Sequence, residues 1–292
     1  MAARPQRLIA FIACLLSGAG AATSQQRIAP ARRIVSLVPN VTEMLFAIGA
    51  GSQVVAVSSY DEFPPEVKSL PHVGALLDPD TERILALRPD LVITYGSQSD
   101  VESQFARAGI RIYSYRHGGL ANLMNSAREL GSLTGHEDGA ARVVRDISAQ
   151  VETVRSKVKG LRRPRTVLVF GREPGTLRQL YVSGGVGFLH EMLQAAGGEN
   201  AFADIKRESI QPSRETLLVR APEVILEVRA GPAQSAKAIR QERNAWLNVA
   251  SIPAVRSSRI HFLFGDYLVV PGPRVGQGTE AFARALHPEA FK

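Results

Sequence analysis

One seven-residue string, Glu-Met-Leu-x-Ala-x-Gly, occurs twice, at Glu43–Gly49 and at Glu191–Gly197. Each copy follows a short apolar run, Ile34-Val35-Ser36-Leu37-Val38 in the first half and Thr166-Val167-Leu168-Val169-Phe170 in the second. A second pair of segments repeats in the same order. Glu82–Ile93 aligns without a gap against Glu215–Leu226, and a proline stands seven residues after each glutamate, at Pro89 and Pro222. Proline lacks an N–H and restricts the residue before it, so each segment reads as a short helix, a stop, an acid and a buried-type strand. A chain that holds one strand–helix–strand–helix unit twice is constrained to two α/β lobes, each a parallel sheet flanked by helices. In the first unit Pro39-Asn40 are expected to break the strand, Thr42 to cap the helix and Gly49 to stop it. In the second, the helix is expected over His190–Ala196, with Gly197-Gly198 as its stop.

Between the two units, Val144, Ile147, Val151, Val154 and Val158 recur at steps of three or four within Glu137–Lys159. That spacing predicts one amphipathic helix, ended by Gly160. At ~1.5 Å per residue it spans roughly 30 Å. A single long helix is a stiff connector. The expected organisation is therefore an N-terminal lobe over 27–135, a connecting helix within 136–163 and a C-terminal lobe over 164–292.

The first residues obey a different rule. Arg4 and Arg7 precede the apolar run Leu8–Leu16, and small residues follow from Ser17 to Ala22. This is the pattern of a secretory signal peptide over 1–22, too short to span a bilayer. Cys14, the only cysteine, lies inside the run. Lipid attachment there is the alternative to its removal. The mature chain then has no disulfide, thiolate metal site or cysteine nucleophile. Without Arg4 and Arg7 the formal charge falls from +8 to +6, with 33 basic and 27 acidic residues. These charges are dispersed rather than striped with aromatics, which argues against nucleic acid as a partner.

Other chemistry is sparse. No two of the six histidines share the helical spacing of a zinc site. Gly184-Gly185-Val186-Gly187 lacks the lysine of a phosphate loop, and no Gly-x-Ser-x-Gly string places a serine nucleophile. Asp78-Pro79-Asp80-Thr81-Glu82 lacks the glycine and spacing of a calcium loop and reads as helix capping. No catalysis, catalytic cofactor or structural metal is expected. An enzyme or sensor on the same scaffold is the remaining alternative.

These segments resemble the ABC-transporter binding proteins whose lobes are joined by one backbone helix, the class III family that takes up cobalamin, haem and ferric siderophores. The resemblance covers nearly all of 23–292. It is carried by Arg33–Glu43, Ser58–Pro65, Leu87–Ile93 and Gly197–Phe202, and within the class it is nearest to the periplasmic cobalamin-binding branch. It implies a periplasmic monomer that delivers a metal-complex ligand to a permease dimer in the inner membrane. It implies that Glu82 and Glu215, one per lobe, grip that permease. It implies that Tyr60, Tyr95 and Tyr181 face the ligand and that Asp266 and Tyr267 touch its edge, with Asn40 at the polar rim. Tyrosine suits an amide-fringed macrocycle, since it offers an apolar face and a hydroxyl.

Two departures leave the ligand open. Leu76, and Ser209 or Ile210, stand where the cobalamin branch carries tryptophan, and Trp246 lies elsewhere, in a segment that reads as packing. A corrinoid, haem and a ferric siderophore remain candidates. His117, in Tyr115-Arg116-His117-Gly118-Gly119, is the candidate axial ligand for haem.

Overall fold

The structure is a computed structural model and describes residues 29–292; the leader expected over 1–22, Cys14 included, lies outside them. The first lobe comprises β1 (Ile34–Ser36), α1 (Pro39–Ile48), β2 (Val54–Val57), β3 (Gly74–Ala75), β4 (Asp78–Pro79), α2 (Thr81–Ala86), β5 (Leu91–Tyr95), α3 (Ser99–Arg107), β6 (Arg111–Tyr115) and α4 (Leu120–Thr134). The connecting helix α5 runs Glu137–Val158. The second lobe comprises β7 (Arg165–Gly171), β8 (Tyr181–Ser183), α6 (Phe188–Ala195), β9 (Glu199–Asn200), β10 (Ser209–Ile210), α7 (Arg214–Arg220), β11 (Val224–Arg229), α8 (Ala236–Ala245), α9 (Pro253–Arg256), β12 (Ile260–Phe264) and α10 (Val275–Leu286).

β3 and β4 form a small antiparallel pair of their own, and the two main sheets are separate and repeat one plan. The first is ordered β2-β1-β5-β6 and is parallel throughout. In the second, β9, β7, β11 and β12 are parallel in the corresponding places, and antiparallel β8 and β10 extend the far edge. The registers correspond as well. Ile34 pairs with Leu91 in the first sheet, and Thr166 pairs with Val224 in the second. The central strands are apolar on both faces because helices cover both sides.

The stripe on α5 is buried from Ala140 through Val144, Ile147, Val151 and Val154 to Val158. It packs against α1 and α4 of one lobe and α6 and α10 of the other, so one apolar cluster runs through both lobes. The approach is close at its start. A Cβ on Gly139 would run into the carbonyl oxygen of Ile48 at the end of α1, so only glycine fits there.

The start of α1 corrects the expected cap. The helix begins at Pro39, which occupies its first position, and no side chain caps it. Proline is suited to that place because its missing N–H would have no partner inside the helix. Thr42 lies within the helix, buried, and its Oγ1 donates to Ser36 Oγ at 2.8 Å. The stop is as expected: Gly49 takes φ +99° and returns its N–H to the last turn. The expected α7 and α2 also form, but their ends are sharper than a proline stop alone. Arg88 and Ala221, each just before the proline, turn the chain at φ 49° and 44°.

Candidate functional site

The cleft between the lobes holds two adjoining cavities. The larger, of about 520 Å³, is walled by Leu37–Asn40 at the start of α1, by Ser58 and Tyr60 after β2, and by Ala75–Leu77. Tyr95 and His117 complete the first lobe's wall, and Val269, Val270 and Pro271 close it from the second. The smaller, of about 230 Å³, is walled by Phe170, Val186–Leu189, Glu208 and Ser209 of the second lobe. His117 and Val269 line both cavities and mark their junction. The walls stand at the carboxyl ends of β1, β5, β6 and β7, where loops of an open α/β sheet collect ligands.

Asn40, Tyr60 and Tyr95 come together in the larger cavity. Asn40 is buried, and its Nδ2 donates to Pro271 O at 3.3 Å, across the lobes. Tyr60 stands at the rim, 70% exposed, beside Leu77 at 94%. Together they give the cavity mouth an exposed, largely apolar edge. Tyr95, Tyr115 and His117 form an aromatic cluster. The Tyr95 ring lies 5.2 Å from His117 and 6.2 Å from Tyr115, and Tyr115 lies 5.5 Å from His117, both imidazole contacts edge-on.

Tyr181, Asp266 and Tyr267 are placed differently. Tyr181 is not a wall of either cavity. It is 38% exposed, and its ring lies 6.2 Å from that of Phe170, which lines the smaller one. Asp266 Oδ1 accepts from Gly231 N at 2.8 Å and so holds the loop after β11. Tyr267 packs inward, its ring covering Gly265 and its backbone oxygen close to Gly278. The chain reaches the cavity only two residues later, at Val269. Trp246 is fully buried in the second lobe, as packing requires.

The electrostatics follow from burial. Desolvation pushes the Tyr115 hydroxyl up to about 12, although the side chain of Asn40 pulls the other way. His117 is lowered, chiefly by desolvation, and Glu208 acts against this. His117 is nonetheless an exposed residue, and it lines both cavities.

Several wall residues carry no local sequence signal. Val269–Pro271 and Phe170 are ordinary apolar residues that only the packing of two lobes brings together. Leu76 was visible as a departure. It lines the larger cavity and Ser209 the smaller, so both positions expected to hold tryptophan face the cleft.

The profile of the family described as periplasmic binding protein matches residues 34–266. The chain belongs to that family. A vitamin B12-binding protein of Yersinia pestis is 33% identical over 198 residues, 67% of this chain and 69% of that one. Among solved structures, the periplasmic vitamin B12-binding protein BtuF of Vibrio cholerae superposes with a TM-score of 0.74 at 26% identity, covering 90% of this chain and 99% of that one. The periplasmic heme-binding protein RhuT of Roseiflexus sp. RS-1, in apo form, superposes with a TM-score of 0.73 at 27% identity, covering 89% and 99%. The family member described here is a substrate-binding protein of an ABC transporter, with two α/β lobes on one backbone helix.

Proposed function

We propose that this chain captures cobalamin or a related corrinoid in the cleft and delivers it to a membrane permease. The observation that carries the reading is the larger cavity, with Tyr60, Tyr95 and Asn40 on one side and Val269–Pro271 on the other. Its walls offer apolar and aromatic area for a ring and a few polar groups for its fringe, the usual economy of a small-molecule site. The exposed Tyr60 and Leu77 at the mouth fit a ligand large enough to project from it. Kinship with vitamin B12-binding proteins agrees. The test is titration of the purified protein with cyanocobalamin, followed by Trp246 fluorescence and visible absorption. Saturable one-to-one binding supports the reading, and no uptake of cyanocobalamin or cobinamide removes it.

Haem is the second reading, favoured by His117. His117 stands at the junction of the two cavities against the rings of Tyr95 and Tyr115, and burial disfavours its charged form, which suits a ligand to a ring metal. Haemin supplied in the same titration would then give a Soret band that shifts in His117→Ala. A ferric siderophore is compatible with the cavity, but no side chain there favours it.

The remaining assignments belong to the same proposal. The lobes are taken as 27–135 and 164–292 around a connector within 136–163. The leader over 1–22 directs export to the periplasm, where the chain acts as a monomer without catalysis. Glu82 and Glu215, exposed at equivalent helix starts, meet the two halves of a permease dimer. Tyr181, exposed beside Phe170, is kept as a ligand contact at the edge of the cleft, and Asp266 and Tyr267 are assigned to supports behind the walls.

A further inference from the structure

The two glutamates that open the repeated string both reach across the cleft. Glu43, on α1, is 5% exposed, and its carboxylate takes two hydrogen bonds from Arg274 of the other lobe. Nε donates to Oε2 at 2.8 Å and Nη2 to Oε1 at 2.6 Å. Glu191, on α6, accepts at Oε2 from the backbone N–H of Leu120 in the first lobe, at 2.7 Å. The targets correspond as the glutamates do. Arg274 directly precedes α10 and Gly119 directly precedes α4. Each of those helices follows the last strand of its sheet and packs on α5. The turn before α10 supplies Val269–Pro271 to the larger cavity, and the turn before α4 supplies His117 to both.

We propose that Glu43 and Glu191 are reciprocal positioning residues: each, from its own lobe, fixes the cavity-lining turn that precedes the last helix of the other lobe. Space is tight at both contacts. A Cβ on Gly119 would collide with the Glu191 carboxylate, and one on Gly272 would lie 3.1 Å from Glu43 Oε2. The guanidinium of Arg274 also covers the Phe63 ring, its carbon 4.0 Å from the ring centre, which adds a second contact with the first lobe.

Physical chemistry makes the arrangement depend on lobe spacing. A carboxylate out of water is unfavourable unless its charge is met and its lone pairs are used. Glu43 meets a bidentate guanidinium, the strongest such partner. Glu191 meets a free N–H at the positive end of α4. Each partner belongs to the other lobe. If the lobes separate, both glutamates lose their partners, and Val269–Pro271 and His117 lose the contacts that hold them in place. The ligand walls are thus assembled by the same two residues that set the closed spacing.

A distance measurement tests this without any ligand. Nitroxide labels on Asp100→Cys in α3 and Lys237→Cys in α8, both exposed positions, report the inter-lobe distance in a Cys14→Ser chain. Glu43→Ala and Glu191→Ala should each broaden the distribution, and the double variant should broaden it further. Gly119→Ala displaces the Glu191 carboxylate without altering it and should match Glu191→Ala. Glu191→Gln keeps an acceptor oxygen and should stay narrow. An unchanged distribution in the folded double variant overturns the proposal. If the double variant fails to fold, an unchanged distribution in Gly119→Ala and in Glu43→Ala overturns it equally. The second arm rests on the corrinoid reading. Cyanocobalamin should dissociate at least tenfold faster from Glu191→Ala than from Glu191→Gln, and equal rates overturn the link to the ligand walls. If wild type takes up no cyanocobalamin, the corrinoid reading fails while the distance arm still decides this one.

Discussion

Glu82 and Glu215 occupy the same helical position, the second residue of α2 and of α7, each beneath a side-chain cap. Asp80 Oδ1 accepts from Arg83 N at 2.9 Å, and Ser213 Oγ accepts from Thr216 N at 3.1 Å. Both glutamates are exposed, and three residues on, Leu85 and Leu218 are 39% and 37% exposed. Residues three apart share a helix face. Each lobe therefore shows the same small surface, an acid beside a leucine. The ordinary role of such an acid is to complement the helix dipole. Its repetition on two related lobes, with the same apolar neighbour, is what that role does not explain.

A two-fold permease dimer could meet both surfaces in the same way. Rim charges mainly set encounter rate and register, and like-charge juxtaposition opposes docking. Glu82→Arg with Glu215→Arg should abolish transport in reconstituted vesicles and leave ligand affinity in solution unchanged. Normal transport would remove the docking role, and lost affinity would place these residues in ligand binding instead.

The two lobes, the connecting helix and the equivalence of Glu82 with Glu215 were legible because each is a local pattern or a repeat of one. The valine stripe of α5 needs only the 3.6-residue period. The partners across the cleft were not legible. Glu43 and Arg274 lie 231 residues apart, and nothing in the local pattern around either points to the other. The same holds for Thr42, whose type fits a cap although its hydroxyl is spent on Ser36 and the cap position falls to Val38. Tyr267 shows the limit for ligand residues. A tyrosine two residues from a cavity wall has the right composition, and only packing decides which way the ring turns.

Tyr95 is the tyrosine with both a cavity face and aromatic support. Tyr95→Ala should weaken ligand binding by roughly 1–3 kcal/mol, the loss expected for an aromatic contact of that size. Tyr181→Ala and Tyr267→Ala should change it less, because neither ring lines a cavity. Fluorescence titration of the three variants is the check. An effect of Tyr267→Ala larger than that of Tyr95→Ala would contradict the assignment of walls and supports.

Acid should weaken the fold through its desolvated histidines, while Glu43 and Asp61, whose carboxyls desolvation raises, act the other way. His117, His190 and His261 are all held below the ordinary histidine value, each chiefly by desolvation. In the window between their folded and unfolded values the unfolded chain binds more protons, so stability falls as pH drops below about 6.5. Urea midpoints at pH 7.5, 6.5 and 5.5 should decline in that order. Replacing His261 with Phe should flatten the slope, and an unchanged slope would show that burial of this ring does not oppose its protonation.

The second lobe contains a closed group of four charges, and it should respond unlike any ion pair on the surface. Arg172 lies against Glu227 at 3.1 Å and Glu242 at 2.8 Å, and Arg229 reaches the same two acids at 2.6 and 2.7 Å. The side chains of Arg172 and Glu227 are 1% and 2% exposed. Glu227 also accepts from the indole N–H of Trp246 at 3.2 Å. Removing one cation leaves two largely buried acids sharing the other, and the typical loss is about 3–5 kcal/mol. Arg172→Ala should therefore lower stability by that order. Arg284, paired with Glu280 at 2.6 Å in the open, with 54% and 42% of the two side chains exposed, should cost under about 1 kcal/mol on the same change, because solvent already screens the pair. Trp246, the only tryptophan, reports both unfolding curves from within the network. Equal losses for the two arginines would mean that water enters the cluster and that its charges are solvated in the folded state.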